Sequence, residues 1–217
     1  VGNNEARLNA LPVVRRGRHS GHGNPGRGDG QAEDYACEGG AESASARAED
    51  ILNIAVISDT HLPRFYPRLE AALRRVSSER PDLILHCGDL TTLDALTAFE
   101  RIAPVEAVAG NNDGAEIVAR CGRRKIVEAA GLRIGMVHGD GQGGTTLDRA
   151  RAAFAADTLD AIVFGHSHEP YLARHDGVWV LNPGSVTDKR RQPRFSFAII
   201  QTPTDDGLRP RIIYFDD

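Results

Sequence analysis

ILNIAVISDTH, residues 51–61, is the stretch on which the fold reading turns. Its first eight residues form a short, nearly continuous apolar run rich in β-branched side chains, which is how a strand buried on both faces reads. The run ends on Asp59-Thr60-His61, which places two metal-competent side chains two positions apart. Residues i and i+2 leaving a strand point the same way, so this pair can grip an ion from one side. A lone Asp-x-His is weak evidence; what decides is whether neighbouring strands end the same way.

Toward the C-terminus, Leu69, Leu73 and Val76 recur at helical spacing over 67–79, before Pro81 breaks the pattern. DLILHC (82–87) reads as a second strand, 92–102 as a helix and PVEAVA (104–109) as a third strand. A helix over 114–122 and a strand RKIVEA (124–129) follow, then strands LRIGMVH (132–138) and AIVF (161–164) around a helix over 146–156. YLARH, VWVLN, FSFAIIQ and RIIYF, separated by turn residues, read as hairpins. Alternating β and α units followed by β-rich chain predict an α/β domain whose later strands build a second, mostly antiparallel sheet.

In open α/β sheets ligands bind beyond the carboxyl ends of the strands. The residues after the later apolar runs repeat the chemistry of the first: Gly88-Asp89, Gly110-Asn111-Asn112-Asp113, His138-Gly139-Asp140 and Gly165-His166-Ser167-His168. Four of the six histidines beyond residue 50 fall at these positions. Five polar endings in register point to a metal site. A set of imidazoles, carboxylates and one amide suits Mn2+, Zn2+, Fe2+ or Ni2+ better than Mg2+ or Ca2+, which prefer all-oxygen shells. Seven ligands are too many for one ion and reasonable for two that share a carboxylate. Two divalent ions would outweigh Asp59 and Asp89, and the surplus positive charge invites an anion such as phosphate.

The ordered set DTH (59–61), GD (88–89), GNND (110–113), HG (138–139) and GHSH (165–168), with NPGS at 182–185, resembles the calcineurin-like metallophosphoesterases. Within them it is similar to the small single-domain bacterial and archaeal phosphodiesterases, over about 51–200. The resemblance implies an α/β fold, a four-layer α/β/β/α sandwich of two mixed β-sheets flanked by helices. It implies one metal held by Asp59, His61 and His168, a second held by Asn111, His138 and His166, and Asp89 bridging them. Mn2+ is the first expectation for both. It further implies hydrolysis of a phosphate ester by in-line attack of a metal-bridging hydroxide.

Asn112 departs from the pattern. Many relatives carry His directly after the ligand Asn, where it protonates the leaving group or contacts the phosphate. An amide has no proton to give in that way, so Asn112 is left as a substrate contact and no general acid is assigned. Asp113 and Asp140 are candidates for orienting ligand histidines, or else simple turn caps.

Other motifs read as decoys. Gly139-x-Gly141-x-x-Gly144 matches a dinucleotide fingerprint, but Gly165-His166 stands where the acidic partner would be needed. Its glycines fit a loop at the rim of the metal site. Cys87 reads as buried packing and His86 as a core or supporting residue. Lys189-Arg190-Arg191 could meet substrate phosphates, although a solvated loop is the simpler reading.

Residues 1–50 are of another kind. They contain no Ile, Phe, Met or Trp and hold nine of the 23 glycines, so they read as a disordered Gly-rich tail ahead of a domain over 51–217. Six basic against eight acidic residues make this no nucleic-acid arm. Arg27-Gly28-Asp29 is an adhesion tripeptide without a secretory context, and His19 and His22 read as solvated.

The whole chain averages these two parts, with 41% apolar residues, 26% charged residues and a formal charge of −4. That charge gives nucleic-acid binding no support. No apolar run reaches the ~18 residues of a membrane span, and Cys37, Cys87 and Cys121 form no CxxC pair, so a cytoplasmic protein acting on a small phosphoester is expected. The oligomeric state is left open. The alternatives are a phosphomonoesterase on the same scaffold and a non-catalytic scaffold or interaction protein of the same fold, against which the complete ligand set weighs.

Overall fold

The computed structural model describes residues 52–204 and 207–216. The expected tail, with Arg27-Gly28-Asp29, His19 and His22, lies outside the described residues.

Among the described residues, ten strands and four helices follow in the order the apolar pattern predicts. The first half runs β1 (Asn53–Ile57), α1 (Tyr66–Ser78), β2 (Leu83–His86), α2 (Leu93–Glu100), β3 (Val105–Ala107), α3 (Ala115–Cys121) and β4 (Arg124–Ala129). The second half runs β5 (Leu132–Val137), α4 (Thr146–Ala152), β6 (Ala161–Val163), β7 (Tyr171–His175), β8 (Val178–Asn182), β9 (Phe195–Thr204) and β10 (Gly207–Phe215). Among the described residues no helix is long and apolar enough to cross a membrane.

Two five-stranded sheets form, in the orders β10-β9-β1-β2-β3 and β4-β5-β6-β8-β7. The alternation within β1 explains why both of its faces are buried. Ile54 and Val56 point into a core shared with Ile134, Met136, Val163 and Leu181 of the other sheet. Ala55 and Ile57 point the other way, against Ala72 and Val76 of α1 and Phe99 of α2. On the far side, Phe154, Ile162, Phe164 and Val180 pack on Ala150 of α4. The layers are therefore helix, sheet, sheet, helix, which is an α/β class with two mixed sheets.

One expectation is corrected. The later strands do not form a separate, mostly antiparallel sheet. β9 pairs antiparallel with β1, Ile54 opposite Ile200, and carries β10 into the first sheet. The second sheet is mixed, because β5, β6 and β8 run parallel while β4 and β7 run antiparallel at its edges. Local periodicity marks a strand but says nothing of its partner, and the apolar run of β9 fits beside β1 as well as beside β8. The helix expected over 146–156 stops at Ala152, and turns carry the chain on to β6.

The parallel strands β1, β2 and β3 end at one edge of the first sheet, and β5 and β6 end on the corresponding edge of the second. The five polar endings follow these strands.

Candidate metal centre

Asp59 sits at the middle of the site. Its Oδ1 lies 3.2 Å from His168 Nε2 and 3.7 Å from His61 Nε2. Its Oδ2 accepts the backbone N–H of His166 at 3.0 Å, which ties the first loop to the last. His61 Nε2 and His168 Nε2 face each other at 3.2 Å across nearly parallel rings. Asp89 Oδ2 stands 3.6 Å from His61 Nε2 and 3.3 Å from His138 Nε2. The His166 ring meets that of His138 edge-on, with centroids 5.1 Å apart.

Two triads of ligand atoms result, Asp59/His61/His168 and Asp59/Asp89/His138. Asp59 is common to both, and the Asp89 carboxylate lies within reach of both. Asn111 stands exposed beside Asn112, which donates its backbone N–H to Asp89 Oδ1 and its side-chain Nδ2–H to Asp89 Oδ2.

The backbone here is held in an unfavourable region. Asp59, His61, Asp89, His166 and His168 all have φ between +46° and +69°, where a Cβ costs on the order of 1 kcal/mol each. Close approach is also enforced by glycine. A Cβ on Gly165 would lie 1.9 Å from Ser58 Oγ, and one on Gly110 2.2 Å from Asp89 Oδ1.

The histidines are aimed by carbonyl oxygens. His138 Nδ1 donates to the Cys87 carbonyl at 2.7 Å, and His168 Nδ1 donates to that of Asp188. Each Nε2 is thereby turned toward the carboxylates. Burial pushes the His138 imidazole down, but the Asp89 carboxylate 3.3 Å away and the charge of Asp59 outweigh it and hold it up to about 9. Burial likewise opposes protonation of His168, and Asp59 reverses the sign, so its value is raised. Burial dominates at His61 and His166, which are both lowered. Burial alone would raise Asp59 and Asp89, yet the neighbouring histidines lower Asp59, and His138 with Asn112 holds Asp89 well below the usual carboxylate range.

Whether a metal fits can be judged from the unsatisfied atoms. Asp59 Oδ1 and His138 Nε2 are buried and have no hydrogen-bond partner among the described residues. Both belong to the triads. A carboxylate oxygen and an imidazole nitrogen left unpartnered in one buried cluster are satisfied together by a cation, so the donor set fits a divalent metal.

Of the two roles expected for Asp113, orienting a histidine or capping a turn, the hydrogen bonds are those of the second. Among the described residues Asp113 makes no hydrogen bond or ion pair with a histidine. Its carboxylate accepts three backbone N–H groups, from Asp89 at 2.9 Å, Thr91 at 2.6 Å and Gly110 at 2.7 Å, and so clamps the loops after β2 and β3 together. Asp140 is half-buried and acts on His166 through its charge. Histidine orientation falls to backbone carbonyls, that of Cys87 just after β2 and that of Asp188 in the connection between β8 and β9.

His86, in β2, is fully buried. Its Nδ1 accepts the Gly88 N–H, and its Nε2 pairs with Thr60 Oγ1, each at 3.2 Å. It thus fixes the residues next to Asp59 and Asp89. The NPGS motif, with Thr187 just beyond it, does similar work. Asn182 donates to the Gly165 carbonyl at 2.8 Å, Ser185 Oγ to that of Asp59 at 2.8 Å, and Thr187 Oγ1 to that of Thr60 at 2.8 Å. Sequence reasoning assigned no role to Asn182, Ser185, Thr187, Asp188 or Arg64. Only the NPGS resemblance marked any of them.

The glycine-rich loop 139–144 is closed by Arg149, which donates to the carbonyls of Gly139, Gly143 and Gly144. A capping box between Thr145 and Asp148 then starts α4. The loop is a rim element built on an arginine.

Comparison with known proteins gives the family and the fold. Residues 52–205 match the family profile described as "Calcineurin-like phosphoesterase superfamily domain". A probable metallophosphoesterase of Methanothermobacter thermautotrophicus is 36% identical over 140 residues, covering 63% of this chain and 78% of its own length. Among solved structures, a novel archaeal phosphodiesterase superposes with a TM-score of 0.60 at 26% identity, covering 76% of this chain and all of that one. Vacuolar Protein Sorting 29 of Cryptosporidium parvum superposes with a TM-score of 0.58 at 18% identity, over 77% of this chain and 99% of its own, a likeness of fold alone.

Proposed function

The chain belongs to the calcineurin-like phosphoesterase superfamily, and from that premise we propose that it is a phosphodiesterase acting through two divalent transition metals. Asp59, His61 and His168 would hold one ion, and Asn111, His138 and His166 the other, with Asp89 between them. The carrying observation is the pair of buried, unpartnered atoms Asp59 Oδ1 and His138 Nε2, one a member of both triads and the other of the second. Mn2+ is the first candidate, with Zn2+, Fe2+ and Ni2+ as alternatives compatible with the donors.

Metals held there supply Lewis-acid charge to a phosphoryl group and lower the pKa of water toward neutrality. The chain's own residues do the rest. The carbonyls of Cys87 and Asp188 present His138 and His168 with Nε2 toward the site. Asn112, bonded to Asp89, offers an amide beside the substrate and no proton for the leaving group. The reaction is best suited to diesters whose leaving group departs unaided. The free, buried thiols of Cys87 and Cys121 support placement in the cytoplasm, where thiols stay reduced. The vacuolar sorting protein shares the fold only, and so favours no scaffold role here.

The test compares the wild-type protein with Asp89→Ala and His166→Ala, using bis(p-nitrophenyl) phosphate with Mn2+ and measuring bound metal by mass spectrometry. Both variants are expected to lose hydrolysis and metal together. Unchanged activity in both would remove the basis of the proposal. p-Nitrophenyl phosphate cleaved much faster than the diester would favour the phosphomonoesterase instead.

A further inference from the structure

Beside the metal centre lies a cleft of about 360 Å3 lined by His61, Arg64, Asn112, Asp188 and Arg190. His61 and Asn112 join it directly to the site, since His61 Nε2 faces Asp89 and Asn112 is bonded to that carboxylate. Of the other three, Asp188 is placed by bonds that also build the site. Arg64 follows His61 by three residues in the same loop. The Asp188 carbonyl holds His168, and the Asp188 N–H donates to Ser185 Oγ at 2.8 Å, which in turn donates to the Asp59 carbonyl. Arg190 ends this anchored segment.

The charge in the cleft is lopsided. The Asp188 carboxylate is shared between His168 Nδ1 at 3.8 Å and Arg190 Nε at 3.9 Å. Among the described residues Arg64 has no carboxylate partner; its guanidinium lies over the Phe65 ring, 5.1 Å from the centroid. Two guanidinium groups, one amide and one shared carboxylate surround a space open to solvent. In the basic run 189–191 only Arg190 lines this space. Lys189 instead donates to the Pro193 carbonyl at 2.8 Å and covers the Phe195 ring.

We propose that this cleft binds a second phosphate, carried by the substrate on one side of the scissile diester. Planar guanidinium forks match phosphate geometry, and the volume accommodates a nucleoside-sized group between the two phosphates. The inference rests on the phosphodiesterase reading, and it narrows the substrate class to diesters of phosphorylated alcohols.

Two chromogenic probes test it: the p-nitrophenyl ester of thymidine 5′-phosphate, and the same compound carrying a 3′-phosphate. With Mn2+, the 3′-phosphorylated probe is expected to have a kcat/KM about tenfold higher, expressed mainly in KM. Arg64→Gln and Arg190→Gln should each shrink that ratio about threefold or more, and Lys189→Gln should leave the ratio as it is. Equal kcat/KM for the two probes, a ratio unaltered in both arginine variants, or an equal loss in Lys189→Gln would overturn the assignment. A calorimetric titration of metal-free protein with thymidine 3′,5′-bisphosphate separates the two readings. If neither probe is hydrolysed the phosphodiesterase reading fails. In that case, weaker bisphosphate binding in the arginine variants still supports the cleft, while absent or unaltered binding refutes it.

Discussion

The Asp113 carboxylate accepts the backbone N–H of Asp89 at 2.9 Å, across 24 residues of sequence. The same oxygen takes the Gly110 N–H, and the other takes that of Thr91. One buried side chain thus sets the distance between the loops that carry Asp89 and Asn111. Asp113→Ala leaves three backbone donors without that acceptor and is expected to cost on the order of 2–3 kcal/mol. Bound Mn2+ should fall with it, and Asp113→Asn should lie between the two. Urea unfolding and metal content measured on the three proteins check this; an Ala variant with unchanged midpoint and metal content contradicts the clamp.

His86 should stay neutral through the physiological range. Burial pushes its imidazole from the ordinary 6.5 down to about 3. A folded-state value below the unfolded one means that the neutral ring's contribution is complete above pH 6.5 and is lost progressively as pH falls from there toward 3. The ring resonances of His86 are therefore expected not to titrate between pH 5 and 8. Stability measured by urea should drop from pH 7.5 to 5.0 in the wild type, and less so in His86→Leu. A midpoint near 6.5 for this ring would refute the assignment.

Gly165 is required by space and not by backbone freedom. Its missing Cβ would lie 1.9 Å from Ser58 Oγ and 2.8 Å from Asp59 Oδ2. Gly165→Ala must displace Ser58 or push Asp59, at about 1–3 kcal/mol for overpacking. We expect a lowered unfolding midpoint and weaker metal binding by calorimetry. Gly114→Ala, where a Cβ meets nothing within 4 Å, is the control and should bind metal as the wild type does.

Asn112 leaves the proposed reaction without a proton donor at that place. Rates over a series of diesters are expected to fall steeply with leaving-group pKa, and Asn112→His should flatten the slope by raising alkyl more than aryl turnover. A slope already flat in the wild type would show that the proton comes from elsewhere.

Much of this architecture was legible in the chain. The nearly continuous apolar run 51–58 reads as a strand buried on both faces, and the pleat then puts Ile54 and Val56 on one face and Ala55 and Ile57 on the other. The Asp, Asn and His endings could be anticipated as well, because the parallel strands within each sheet end at one edge. What the chain order concealed was everything set by closure in space. β9 lies against β1 and not against β8. The Ser185 hydroxyl reaches the Asp59 carbonyl from 126 residues away. His138 and His168 are aimed by backbone oxygens that no side-chain motif encodes, and Arg64 and Arg190 share a cleft although nothing in their spacing pairs them. Periodicity and strand endings are local consequences of backbone geometry, and the sequence by itself determined them. Strand partners, ring orientation and the cleft depend on which surfaces meet once two sheets pack, and only the tertiary structure decided them.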